Sequence, residues 1–183
     1  MPVRNSRERY GAIPKAFHWL TVALVITGWL LGQFIDDLPE VLQPAGLVAH
    51  IAIGTTVFLL LIMRLSWRFI DPPPSPEQTA LGRAAEIGAQ TVHYALYALL
   101  VTIPIFGMLV QFTRGNALPI FGLFEISSPW LKDRVLADSL VEIHELLANT
   151  LIVVASLHGA AALMHHFVLG DRTLRRMLPG AVG

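Results

Sequence analysis

Three stretches with no charged residue, and a fourth charged only near its start, constrain this chain more than any other feature. They cover residues 16–35, 46–63, 87–113 and 140–169, the last carrying Glu142 and Glu145 at its entrance. About 20 residues at 1.5 Å rise cross the hydrocarbon core of a bilayer, so each stretch is long enough to span a membrane as a helix. The composition agrees. The chain is 54% hydrophobic and 14% charged, with mean hydropathy +0.59, whereas a soluble domain carries about 25% charged residues. The expectation is an all-α membrane protein, a four-transmembrane-helix bundle forming a single domain over residues 1–183. The first stretch is too long for a cleaved signal peptide, and no small-residue cleavage site follows it.

Proline and charge mark the connections. Pro14 stands just before the first span, where a missing N–H costs little. The run Pro72-Pro73-Pro74-Ser75-Pro76 reads as a stiff linker. Pro104 falls inside the third span, where neighbouring helices can satisfy the freed carbonyl. All but three of the 13 basic residues precede the first span, lie in the second connection or follow the fourth span. The exceptions, Arg114, Lys132 and Arg134, share the third connection with Glu125, Asp133 and Asp138. Positive charge collects on the cytoplasmic side, so both termini are expected to be cytoplasmic. A formal net charge of +0 suggests no nucleic-acid partner; membrane lipid is the expected surroundings.

The chain has no cysteine, which removes disulfides, iron–sulfur clusters, thiolate zinc sites and covalent haem attachment. Imidazole is then the obvious nitrogen ligand for a metal. Ionisable groups inside a span are costly and suggest function. His18 lies near the cytoplasmic end of the first helix, His50 near the outer end of the second, and His144 near the outer end of the fourth. His158 follows His144 by fourteen residues, roughly 21 Å along the axis and four turns less about 40°, so the two share a face. His50 can meet His144 in the outer half of the bilayer, and His18 can meet His158 in the inner half. Each pair can bracket one flat macrocycle. Two axial imidazoles leave a haem iron no open position, which favours electron transfer over oxygen binding. The competing reading makes a single histidine a hydrogen-bonded packing residue, but two depth-matched pairs speak against that for all four.

Other features carry less. His93, near Tyr94 and Tyr97, reads as a packing residue or a support to a neighbouring ligand, with a rival ligand to His18 and a haem-propionate partner as the alternatives. His165 and His166 read as an interfacial pair, with contact to a haem propionate or a quinone as the alternative. Gly28 and Gly32 form a Gly-x-x-x-Gly packing motif. Gly54, four residues after His50, and Gly159 after His158 would let a porphyrin approach the backbone. Trp19, Trp29, Trp67 and Trp130 fit interfacial anchoring. His144-Glu145 begins like a zinc-protease motif, but Ala148 stands where its second histidine belongs.

Several stretches together resemble the bacterial cytochrome b561 family, which includes cytochrome b subunits of membrane hydrogenases. They are Tyr10-x-x-x-Pro14-Lys15-x-x-His18-Trp19, then His50-x-x-x-Gly54 with Arg64 closing the second helix, then His93-x-x-Leu96-Tyr97 with Pro104. The most specific lie at the end: His144-Glu145-x-x-Ala148, Leu157-His158-x-x-Ala161-Ala162-Leu163-x-His165-His166-Phe167 and Asp171-x-x-Leu174-Arg175-Arg176-Met177-Leu178-Pro179. The resemblance covers nearly the whole chain. It implies a multi-pass protein of the bacterial cytoplasmic (inner) membrane with two haems b, whose axial ligands fall on His18, His50, His144 and His158. Some members look like superoxide:ubiquinone oxidoreductases. That implies superoxide or another small donor at the outer face and ubiquinone as acceptor. The chain departs from the pattern at Thr113-Arg114-Gly115-Asn116, where small uncharged residues are expected.

Three functions compete on this basis. One is a stand-alone oxidoreductase passing electrons from a small donor to quinone. The second is a cytochrome b membrane subunit of a partner redox enzyme such as a hydrogenase or dehydrogenase. The short connections leave little room for a large docking surface, which favours the first. A second copy of the chain and a redox protein remain open as partners. The third is a metal-ion transporter, disfavoured because such proteins usually place carboxylates near the midplane and these spans have none there.

Overall fold

The computed structural model describes residues 2–75, 77 and 81–180. Four helices account for most of it: α1 (Ala12–Phe34), α2 (Gln43–Ile70), α3 (Gly82–Thr113) and α4 (Arg134–Phe167). All four are long and apolar enough to cross a membrane. They run past the uncharged stretches at most ends, because a helix continues into the interfacial region where charges are tolerated. Since α1 begins at Ala12, Pro14 sits inside its first turn rather than before it, where the N–H has no helical partner in any case. Pro44 occupies the first turn of α2. Asp133 caps α4 by accepting from the Leu136 amide at 3.0 Å. Of the proline linker, Pro72–Ser75 is irregular and Pro76 lies outside the described residues.

The helices form a bundle in which α1 packs on α2 and α3 on α4, with α2 against α3 joining the pairs. The core at mid-height is Val57, Leu61, Leu100 and Leu151. Large apolar side chains such as Leu20, Ile26, Leu30, Leu59, Ile62, Val153 and Leu157 face outward and are exposed, the pattern of a bundle solvated by lipid. Threonine hydroxyls along the helices donate to the carbonyl four residues back, as Thr55 does to Ile51 at 2.8 Å and Thr102 to Ala98 at 2.8 Å. Such bonds satisfy the threonine hydroxyls within their own helices.

The two ends of the bundle differ. At one end lies a feature absent from the all-α expectation, a hairpin of β1 (Leu118–Ile120) and β2 (Phe124–Ile126). Its turn holds Phe121 and Gly122 at positive φ, 54° and 71°, with the Leu123 amide donating to the Ile120 carbonyl at 3.0 Å. Two such residues match the right-handed twist of the strands. At the other end both termini fold over the helices. Asn5 donates from its amide to Asp71 at 2.8 Å. Arg172 and Arg176 pair with Glu77 at 3.2 and 3.1 Å. Lys15 donates to the Leu178 carbonyl at 3.0 Å and Trp19 to that of Met177 at 2.8 Å. Trp29 and Trp67 also have specific partners, Asn149 at 2.8 Å and Asp71 at 3.3 Å, so these tryptophans hold the fold as well as fitting an interface.

Candidate functional site

The hairpin end holds the first pair of histidines. His50 on α2 and His144 on α4 face one another with ring centroids 6.0 Å apart and planes at 75°. Each ring is fixed by the same device. His50 Nδ1 lies 3.0 Å from the carbonyl oxygen of Gly28 on α1, and His144 Nδ1 lies 3.0 Å from that of Ile103 on α3. A carbonyl oxygen only accepts, so Nδ1 carries the hydrogen and Nε2 keeps its lone pair. Four residues beyond each accepting carbonyl stands a glycine. A Cβ on Gly32 would lie 3.0 Å from His50 Cε1, and one on Gly107 would lie 3.2 Å from His144 Cε1. The glycines let each ring lie flat against a helical turn. Sequence reasoning took Gly32 only as a helix-packing residue and passed over Gly107. The packing role belongs to Gly28, whose Cβ would lie 3.0 Å from Ile53.

The termini end holds the second group. His18 on α1 and His158 on α4 have centroids 6.5 Å apart and planes at 73°. His93 on α3 is closer to His158, at 5.2 Å and 66°, but it is exposed where the other four are half-buried. A metal–imidazole nitrogen bond is about 2.0 Å and the ring centroid lies roughly 1 Å behind the nitrogen, so two imidazoles facing across one metal have centroids roughly 6 Å apart. The His50–His144 and His18–His158 spacings suit that arrangement; the His93–His158 spacing is shorter.

A flat macrocycle also needs room beside its ligands. Added Cβ atoms on Gly54 and Gly159 would meet nothing within 4 Å, so no neighbouring group closes off the backbone at those two positions. The residues present therefore fit a haem at each level. Leu151, seven residues from both His144 and His158, places the apolar core between them.

Groups near the ends of the bundle complete the site. His165 Nδ1 bonds Asp171 Oδ2 at 2.5 Å, with both side chains largely buried. Burial would raise the Asp171 carboxyl, but hydrogen bonds from His165 and from Thr173 outweigh it and hold the carboxyl below its usual value. The ring of His166 packs on Phe167. At the hairpin end, a Cβ on Gly115 would lie 3.3 Å from Lys132 Cβ, and the Asp133 amide donates to the Thr113 carbonyl at 2.9 Å. This brings the chain segments that carry Arg114, Lys132 and Arg134 beside one another. Among the described residues none of the three forms an ion pair with Asp133, Glu125 or Asp138.

Comparison with known proteins gives one answer. The family model for prokaryotic cytochrome b561 matches residues 9–180. Cytochrome b561 homolog 2 of Escherichia coli (strain K12) is 34% identical over 97% of this chain and 95% of its own length. A probable superoxide oxidase, CybB, of Yersinia pestis is 34% identical over 94% of this chain and 97% of its own. Cytochrome b562 of Cereibacter sphaeroides is 27% identical over 92% and 94%. The chain belongs to the prokaryotic cytochrome b561 family: it is a multi-pass electron-transfer protein of the bacterial inner membrane, and the family implies haem b as its cofactor.

Proposed function

We propose that this chain binds two haems b and passes electrons across the membrane from a small donor at the hairpin end to ubiquinone at the termini end. The observation that carries the reading is the presence of two imidazole pairs, with centroids 6.0 and 6.5 Å apart, at opposite ends of one bundle. His50 and His144 would hold one haem and His18 and His158 the other. Bound haem supplies a one-electron iron couple at each level, and two imidazoles per iron leave no position for oxygen. The Gly28 and Ile103 carbonyls orient the first pair of rings through Nδ1, which also raises the basicity of Nε2. The distribution of Lys and Arg supports a topology with the termini in the cytoplasm and the hairpin outside.

Superoxide is the donor we favour. The Yersinia pestis relative is named a probable superoxide oxidase, and the hairpin end carries Arg114, Lys132 and Arg134, which among the described residues form no ion pair with Glu125, Asp133 or Asp138. A cationic cluster on an otherwise acidic face attracts a small anion locally and speeds its arrival. The test is reduction of the purified protein by a superoxide-generating system, with ubiquinone added. Visible bands of reduced haem that form with superoxide and bleach on adding ubiquinone support the proposal. Reduction only when a partner dehydrogenase or hydrogenase is present would replace it with the membrane-subunit reading.

A further inference from the structure

Arg64 is a charged residue within the apolar bundle that the reading above does not use. It follows His50 on α2 by fourteen residues, the interval that separates His144 from His158 on α4. Fourteen residues advance a helix roughly 21 Å and return it to nearly the same face. α2 and α4 run in the same direction, and His50 meets His144. Arg64 therefore arrives at the level of His158, on the inward face of α2. A contact agrees: the Arg64 guanidinium sits 5.5 Å from the centroid of the Tyr97 ring on α3.

Arg64 has no carboxylate within ion-pair distance among the described residues. Three acids of this end are engaged elsewhere. Asp71 accepts from Asn5 and Trp67, Glu77 from Arg172 and Arg176, and Asp171 from His165 and Thr173. A half-buried guanidinium at the edge of a span is costly without an anion. Its planar fork of donors suits a carboxylate taken two bonds at a time. The group that His18 and His158 would hold carries two carboxylates on its rim.

We infer that Arg64 is the binding site for a propionate carboxylate of the haem that His18 and His158 would hold. The inference rests on the two-haem reading. Arg64 acts on the position and potential of that haem and is a positioning residue. Its charge favours the reduced iron, which carries one positive charge less than the oxidised form.

The experiment compares wild type, Arg64→Gln and Arg64→Lys, purified in detergent from membranes. Haem per chain is counted, the midpoint potentials are titrated, and the propionate bending band is read by resonance Raman. Each variant is also made with His50→Ala, so that the His18–His158 haem titrates alone. Arg64→Gln should keep this haem and lower its midpoint by about tenfold in the oxidised-to-reduced ratio at fixed potential, about 59 mV for one electron. The propionate band should move with it. Arg64→Lys should restore most of the midpoint, and the His50–His144 haem should not respond. If Arg64→Gln sheds haem, a loss confined to this site and repaired by Lys supports the inference. A packing role would lower the melting temperature, or haem content at both sites alike, but leave potential and band in place. An unmoved midpoint and band in Arg64→Gln, or equal loss from both sites, overturns the inference. Fewer than two haems in wild type, seen before any variant is compared, brings down the two-haem reading and the Arg64 site with it.

Discussion

His50 Nδ1 lies 3.0 Å from the carbonyl oxygen of Gly28, one helical turn before Gly32. That carbonyl has two lone pairs, so it can accept from the imidazole and still serve the helix. His144 repeats the arrangement on Ile103 and Gly107. One rule therefore orients both rings of the pair, each against a different neighbouring helix.

Adding a methyl at either glycine should disturb the ring it faces. Gly32→Ala would place a Cβ 3.0 Å from His50 Cε1, and Gly107→Ala would place one 3.2 Å from His144 Cε1. Partners that orient a metal-ligating histidine are worth about 10–100-fold in affinity. Both variants should therefore lose haem from the hairpin end during dialysis against apomyoglobin at least about tenfold faster than wild type. Gly88→Ala, where a Cβ meets nothing within 4 Å, should behave as wild type.

Loss of single ligands should separate the two levels. His50→Ala and His144→Ala should each remove one haem, and His18→Ala and His158→Ala the other, as read by the pyridine haemochrome spectrum. His93→Ala should keep both and shift the potential at the termini end, because its ring lies 5.2 Å from His158. If His93→Ala removes that haem and His18→Ala does not, the ligand on this side is His93.

The spans were legible because lipid demands uncharged length, and that demand is written locally in the sequence. The shared face of His144 and His158 was legible for a related reason: both lie on one helix, so their spacing alone sets their relation. What escaped depends on how neighbouring helices are rotated against each other. Nothing within α3 says that Gly107 faces His144, or that Ile103 gives it a carbonyl. The same holds for Arg64, whose meaning comes from the parallel run of α2 beside α4. The hairpin was missed because its signal, Phe121-Gly122, uses a residue that seldom adopts positive φ.

Acid should loosen the C-terminal tail. The Asp171 carboxyl is held below its ordinary value of 3.8. A carboxyl with a depressed folded value stabilises fully above the unfolded value and loses that contribution as pH falls through the folded one. Asp171→Asn should therefore cost about 1 kcal/mol at pH 7, the usual worth of one hydrogen bond. The gap to wild type in thermal unfolding should persist at pH 5 and close only below about 3.8. A gap that closes between pH 7 and 5 would assign the effect to another group.

Steering by Arg114, Lys132 and Arg134 should show in salt. The Debye length falls from about 30 Å at 0.01 M to about 10 Å at 0.1 M. Reduction by superoxide should slow over this range in wild type. The variant with all three changed to Gln should be slower at low salt and nearly flat. Equal rates and equal salt dependence would reject steering without touching the haem ligands.

The central claim is that four histidines hold two haems, each with both axial positions filled. Electron paramagnetic resonance of the oxidised protein, combined with a haem-to-chain ratio, tests it most directly. The account predicts about two haems b per chain, all low-spin, with no carbon monoxide adduct on reduction, because imidazole fills both axial positions. A ratio near one, or a high-spin signal with rapid carbon monoxide binding, would contradict it.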